Sequence, residues 1–289
     1  MEKDKLDFEK NIQVISAQNL EELFYFQKSV RDLYIVGAGT TKEHLSNSHK
    51  GIKSILFTRT ITDLCQIEKK ERYIDIGSAS SLAQILELGE KIIPKVFYDA
   101  LKSIANPFIK NLATIGGNIC YTKKRLTLFS PLLALEAGLE FKASASDTLY
   151  IPISKFHEVP KGYFLSKIRI PIEDWDISIF KKLGPQETIN AFSAFFTFLA
   201  QIEKTVVVDV RIAFCGNISF RHKELENKLL GIRLPLSNKF KNELILEAEK
   251  LYDFSFEADQ KKNKIDLDSD ALLKQQYLNL LSFSLDYLS

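Results

Sequence analysis

The amino-acid sequence predicts an α+β protein, and three observations predict it. A short β-α-β pattern opens the chain, the middle mixes strands with capped helices, and the last third runs strands first and helices after.

In the opening unit, "NIQVIS" (11–16) reads as a strand and "NLEELFYFQKSV" (19–30) as a helix with Asn19 as its N-cap. "DLYIVGAG" is a buried strand of the parallel type that stops at glycine, and "IKSILF" (52–57) is a further strand. In the middle, "RYIDIGSASS" supplies a strand and a cap, followed by helices near 81–90 and near 94–105, the second opened by Pro94. "SPLLALEAG" (130–138) reads as a short apolar helix closed by Gly138, and "LEFKA", "TLYIPI" and "GYFLSKIRIPI" as partly alternating strands. "PIEDWD" (171–176) is the candidate linker. Beyond it come the strands "ISIFKKL", "AFSAFFTFLA" and "KTVVVDVRIAFCG", then helices near 220–230, 237–252 and 268–287; the charged stretch 257–270 reads as a solvated loop.

Composition narrows the function. A chain of 289 residues is long enough for two or three domains. With 39 basic and 37 acidic side chains the net charge is +2, too balanced for a nucleic-acid groove or a membrane patch. No stretch approaches the roughly 20 apolar residues that span a bilayer, and "MEKDKLDFEK" has no apolar core of a secretion signal. Cys65, Cys120 and Cys215 are scattered, as are His44, His49, His157 and His222. The expectation is a cytoplasmic protein with reduced thiols, no metal held by this chain, and no membrane or nucleic-acid partner. Cys120 reads as a small buried residue rather than a redox thiol. No acid, base or nucleophile constellation stands out, so no catalytic residue is assigned.

Two glycine segments carry the chemistry. "VGAGTT" follows a buried strand but has Lys42 where the Rossmann fingerprint requires its third glycine, and no Gly-Lys-Ser/Thr follows as in a Walker loop. A tight turn using Gly37 and Gly39 for positive φ would explain it alone. The second segment, "TIGGN", places two consecutive glycines between Thr114 and Asn118 after a strand-like run. Such a turn offers backbone N–H groups to an anion without basic side chains, so two such turns together suit a pyrophosphate.

With these segments in order, the chain resembles the FAD-binding subunits and domains of the molybdenum hydroxylases, the group of xanthine dehydrogenase and the medium subunit of aerobic carbon monoxide dehydrogenase. "IVGAGTT" looks like that family's first flavin loop, usually A-G-G-T; "YIDIGSASSLAQI" is similar to its intervening strand and helix start; "IKNLATIGGNIC" is similar to its R-N-x-G-T-I-G-G-N segment. "SPLLALEAGLEF" resembles its P-L-L-A-L-x-A helix, and "VRIAFCGNISFRHKELENKLLG" resembles the opening of its last domain. The resemblance covers essentially the whole chain.

What the resemblance implies is a two-lobed vanillyl-alcohol-oxidase-type FAD domain, with lobes at 1–58 and 59–172, followed by a smaller α+β domain of antiparallel sheet plus helices at 177–289. It implies non-covalent FAD held by Tyr34, Ile35, Val36, Gly37, Ala38, Gly39, Thr40 and Thr41 of the first loop and by Thr114, Ile115, Gly116, Gly117 and Asn118 of the second. Lys181 would touch the flavin, and Phe164 or Leu165 would sit near the adenine or isoalloxazine edge. It implies partners too: an iron–sulfur subunit with [2Fe–2S] centres and a large molybdopterin subunit, the flavin passing electrons to NAD or another acceptor.

The chain departs from the family in three places. Ala38 stands where a glycine is usual, Thr127, Leu128 and Ser130 stand where an aspartate is usual, and "KKLGPQET" lacks the usual arginine pair. Lys123, Lys124 and Arg125 bring a basic cluster to the same place, either a solvated loop or a partner for FAD phosphate or an acidic surface. The first two departures keep open a flavin-free structural or assembly subunit of the same descent.

Overall fold

A computed structural model describes residues 12–40, 53–186, 188–260 and 267–289. The fold mixes helices with three separate sheets.

The first sheet is parallel. Strands β1 (Gln13–Ser16), β2 (Leu33–Val36) and β3 (Ser54–Phe57) lie in the order β1-β3-β2, and α1 (Leu20–Ser29) connects the first two. Asn19 caps α1, its side-chain oxygen accepting from the Glu22 amide at 2.9 Å, as its residue type predicts. With β3 in the centre, β2 is an edge strand, and the glycine segment that follows it emerges at the rim of the sheet.

The second sheet is antiparallel and five-stranded, in the order β4-β5-β8-β6-β7, from β4 (Ile67–Lys69), β5 (Tyr73–Gly77), β6 (Gly138–Lys142), β7 (Thr148–Pro152) and β8 (Phe164–Pro171). One face carries Ile74, Ile76, Leu139, Phe141, Ile168 and Ile170 into the largest core. Helices α2 (Leu82–Glu87), α3 (Lys95–Lys102), α4 (Pro107–Leu112), α5 (Ile115–Ile119) and α6 (Phe129–Ala134) pass between β5 and β6, and apolar side chains of all but α4 join that core. The opposite face meets the first unit, where Phe164 packs against Phe24 with ring centroids 5.7 Å apart.

Several boundaries differ from the sequence reading. Helix α3 stops at Lys102 because the chain leaves the helical region, with φ of +34° at Ala105. Helix α4 was not anticipated, although Asn106 followed by Pro107 is a cap-and-first-turn signal, and Asn106 does accept from the Ile109 amide at 2.9 Å. Helix α6 is closed by Glu136 at φ +56°, not by Gly138, which already opens β6. An ion pair of Glu136 with Arg221 at 2.7 Å anchors that left-handed residue.

The third sheet, in the order β12-β11-β10-β9, is antiparallel: β9 (Ile177–Leu183), β10 (Ala194–Glu203), β11 (Val206–Cys215) and β12 (Ser219–Arg221). Helices α7 (Lys223–Leu229), α8 (Asn238–Gln260) and α9 (Leu267–Asp286) cover one face. Buried Leu244, Ala248 and Tyr252 on α8 and Leu273, Tyr277, Leu281 and Leu285 on α9 recur every four residues, which sets the two stripes against the sheet. Helix α8 runs to Gln260, so the expected loop 257–270 is helical at both ends.

The other face of this sheet closes the core of the second unit. Phe195, Leu199, Ala213 and Cys215 belong to that cluster, and the Ser130 hydroxyl bonds Thr197 Oγ1 at 2.8 Å and donates to the Ala213 carbonyl at 3.2 Å. The expected linker is pinned: Arg211 sits 4.6 Å over Trp175 and pairs with Glu173 at 2.9 Å, while Asp176 accepts from the Ile202 amide at 2.7 Å.

Candidate functional site

The two glycine segments meet. An ideal β-carbon on Gly37 would lie 2.3 Å from Thr114 Oγ1, far inside van der Waals contact, so only glycine permits this approach. Gly39 has φ +65° and needs glycine for its backbone; Gly37 needs it for contact. Tyr34, on β2, is half-buried. Its hydroxyl is pushed above its ordinary range by burial and by the neighbouring Cys120 thiol.

The second segment is one turn of helix rather than an open loop after a strand. Thr114 caps α5, its Oγ1 accepting from the Gly117 amide at 3.1 Å. The Asn118 amide donates to Thr114 O at 3.1 Å, Ile115 to Ser80 O at 3.1 Å and Gly116 to Ser78 O at 2.8 Å. All four amides are therefore engaged inside the fold, a correction to the picture of exposed N–H donors. The run Gly77-Ser78-Ala79-Ser80-Ser81 braces the turn, with Ser81 paired to Thr114 as an isolated bridge. The sequence reading did not place these residues in the site; the run of small residues directly after β5 was the available signal.

The two adjacent glycines differ in kind. A β-carbon on Gly116 would meet the Ser78 carbonyl oxygen at 2.7 Å, so Gly116 serves chain-to-chain packing. Gly117 is exposed, and its β-carbon would meet only Thr114 Oγ1, at 3.2 Å. The accessible side of the turn is thus the Gly117 side. Asn118 faces inward along the chain, its Oδ1 accepting from the Leu128 amide at 3.3 Å.

Not every expected residue joins this junction. Ile35 and Ile115 pack into hydrophobic clusters. Phe164 and Leu165, expected near the cofactor, are buried: alternation along β8 sets Phe164 against the first unit and Leu165 in the central core. Lys181 points to the third unit's own helices. Its ammonium lies 5.9 Å over the Phe283 ring of α9, on the helix-covered face of the third sheet, whereas Lys182, one residue on, faces the second unit and donates to Ser103 O at 3.4 Å. Val36, Ala38 and Thr40 are half-buried along the rim. Thr41 lies outside the described residues.

The basic segment 123–125 is only partly a solvated loop. Lys123 is exposed, but Lys124 reaches the Asn190 carbonyl and Arg125 lies 4.2 Å over the Phe129 ring, with Nη2 donating to Phe156 O at 2.6 Å. Of the positions where an aspartate would be expected, Thr127 and Ser130 are buried. Burial pushes the Cys120 thiol up to about 12, which disfavours the nucleophilic thiolate.

A separate polar hollow of about 230 Å³ lies on the outer face of the second sheet, lined by Asp63, Asp75, Glu140, Lys142, Ser166 and Lys167. Its buried acids are already matched: Arg169 grips Asp75 at 2.7 and 2.8 Å, and Glu140 accepts from Ser166 at 2.6 Å and Tyr150 at 2.9 Å. Among the described residues no His/Cys/Asp/Glu cluster suits a metal ion, and no helix is long and apolar enough to cross a membrane.

Comparison with known proteins bears on this junction. Residues 9–173 match the family model described as the FAD binding domain in molybdopterin dehydrogenase. The chain is 31% identical over 125 residues to the xanthine dehydrogenase FAD-binding subunit of Escherichia coli O157:H7, which is 43% of this chain and 40% of that protein. It is 31% identical over 207 residues to indole-3-acetaldehyde oxidase of Zea mays, 66% of this chain and 15% of that protein. The aligned part thus spans less than half the length of these curated relatives. Among solved structures, carbon monoxide dehydrogenase from Hydrogenophaga pseudoflava superposes with a TM-score of 0.76 at 16% identity, covering 93% of this chain and 95% of that one. Quinoline 2-oxidoreductase from Pseudomonas putida 86 does so with a TM-score of 0.74 at 14% identity, over 96% and 95%. These likenesses show the fold. Together with a family match that takes in both glycine segments and the serine run between them, they place the chain in the family of FAD-binding domains of molybdopterin dehydrogenases.

Proposed function

We propose that the chain is an FAD-binding electron-transfer subunit of a multi-subunit molybdenum hydroxylase. The observation that carries the reading is the contact between Gly37 and Thr114, which makes one junction of two turns widely separated in sequence. A dinucleotide laid across it would touch Tyr34, Gly37 and Gly39 on one side and Thr114 and the open side of Gly117 on the other. When bound, the flavin supplies the redox chemistry; the protein's task is to position it and to control access. Tyr34 and the Thr114 cap fix the two rims, and buried Ser78 and Ser80 keep the turn from yielding.

In this reading the lobes at 1–58 and 59–172 form a two-lobed FAD domain of the vanillyl-alcohol-oxidase type, and 177–289 is the smaller third domain. Three separate sheets support the division. An iron–sulfur subunit with [2Fe–2S] centres would deliver electrons, a molybdopterin subunit would oxidise the substrate, and NAD or another acceptor would take the electrons onward. The subunit would not act alone on the hydroxylation substrate, and it would work in the cytoplasm. The named relatives support these roles by analogy.

A second reading, a flavin-free structural subunit of the same descent, draws on Ala38 and on the four engaged amides of α5. The absorbance spectrum of the purified chain, before and after adding FAD, separates the two. Twin flavin bands that denaturation releases as FAD support the first; a folded protein that stays colourless supports the second.

A further inference from the structure

With the amides of α5 engaged, the negative charge of a bound dinucleotide would gain from a cation beyond them. Ile115, Gly116, Gly117 and Asn118 donate to Ser80, Ser78 and Thr114. A diphosphate brought into a partly buried junction without a counter-charge loses hydration it does not recover.

The segment leaving the turn carries two cations, Lys124 and Arg125, that pair with no acid among the described residues. Lys124 is half-buried and donates to the carbonyl of Asn190, in the loop between β9 and β10. That is one acceptor for an ammonium with three donors. Burial pulls its charged form down. Arg125 is held beneath it: Nη2 donates to Phe156 O and His157 O, the guanidinium stacks on Phe129 and Phe156, and Nη1 is buried without a partner. Burial disfavours its charged form as well.

Other half-buried lysines nearby have a local explanation. Lys110 and Lys182 donate to Lys102 O and Ser103 O, the free carbonyls at the C-terminal end of α3, where cations are stabilised by the helix itself. Lys124 caps no helix. Its segment is tied back to the second turn by Asn118, whose Oδ1 accepts from the Leu128 amide.

We propose that Lys124, seated on the Asn190 carbonyl and supported by the Arg125 staple, is the cation that pairs with the diphosphate of FAD bound across the two glycine turns. The inference rests on the flavin reading above. It makes the departure at Thr127, Leu128 and Ser130 a replacement of one binding solution by another, and it uses the third sheet to aim the charge.

The test is titration of the flavin-free full chain with FAD and, separately, with riboflavin, which has no phosphate. The proteins are wild type, Lys124→Gln and Lys124→Arg. The expected result is a loss of roughly 10- to 100-fold in FAD affinity for the Gln variant, with a shallower salt dependence and unchanged riboflavin affinity, and recovery in the Arg variant. In wild type, FAD affinity should fall as pH rises through about 8, where Lys124 loses its charge, while riboflavin affinity does not. A Gln variant that holds FAD as tightly as wild type overturns the inference and leaves the flavin reading standing. Equal losses for FAD and riboflavin overturn the assignment to phosphate. Should the Gln variant not fold, equal pH responses of FAD and riboflavin in wild type overturn it. A wild-type chain that takes up no FAD overturns both.

Discussion

Gly37 and Thr114 stand in such contact that the hydroxyl of one occupies the place a side chain would take on the other. Thr114 Oγ1 also accepts from the Gly117 amide, so it cannot turn away without uncapping α5. Gly37→Ala should therefore cost about 1–3 kcal/mol as an overpacked site and loosen cofactor retention together with stability. Thermal melts with flavin content measured in parallel check this. An alanine variant with wild-type melting and wild-type flavin content would show that the two turns do not touch.

The neighbouring glycines should separate folding from binding. Gly116→Val drives a side chain into the Ser78 backbone and should yield little folded protein, whereas Gly117→Val points outward and should fold but fail to retain FAD. Circular dichroism and the flavin absorbance of both variants decide it. Full flavin occupancy in a folded Gly117→Val protein would remove this turn from the binding site.

The buried hydroxyl pair Ser130 and Thr197 couples the second unit to the third sheet. Ser130→Ala should cost about 1–3 kcal/mol, because it takes this bond from buried Thr197, and Thr197→Val less, because Ser130 keeps the Ala213 carbonyl, while the double variant should cost clearly less than the sum. A double-mutant cycle in urea measures the coupling; additive losses would contradict it.

Arg221 holds the buried carboxylate of Glu226 through Nε at 2.7 Å, and that carboxylate also accepts from the Ile212 amide at 2.7 Å. Arg221→Met strands the carboxylate and should cost about 3–5 kcal/mol, part of which Glu226→Gln in the same chain should return. Denaturant midpoints of the single and double variants provide the comparison.

His222 should make the third unit acid-sensitive. Burial lowers its pKa from the ordinary 6.5, its Nε2 meets Ser255 Oγ at 2.7 Å, and Nδ1 is buried without a partner. The unfolded chain then binds a proton that the folded chain resists, so stability is complete above about 6.5 and is lost as pH falls below it. His222→Gln should flatten that part of the stability profile. Equal slopes for the two proteins between neutral and mildly acid pH would exclude His222 as the cause.

The local signals were readable where one residue type controls the outcome. Asn19 marked the start of α1, Pro94 the start of α3, and the alternation of β8 was visible as such. What residue type alone does not settle is which side of a strand meets which neighbour. Lys181 is the flavin contact that the family resemblance suggests, and only the pairing of β9 with β10 decides that its neighbour Lys182, not Lys181, faces the second unit. The left-handed turn at Glu136 was assigned to Gly138 because glycine is the default there, whereas a distant arginine makes glutamate serviceable. The glycine pair was found, but its purpose was half misread: Gly116 is set by Ser78, a contact across nearly forty residues that no local pattern announces.

The shared core between the second and third sheets also limits how this chain can be divided. A protein ended at Asp176 would leave the hydroxyl of Ser130 and the apolar wall around Phe129, Leu132 and Leu133 without Phe195, Leu199 and Ala213 to cover them. Such a fragment should behave as a sticky, poorly soluble body even though its first two sheets are intact. The final third is the lid on which the cofactor half closes, and grafting that half onto other proteins would require carrying the lid along.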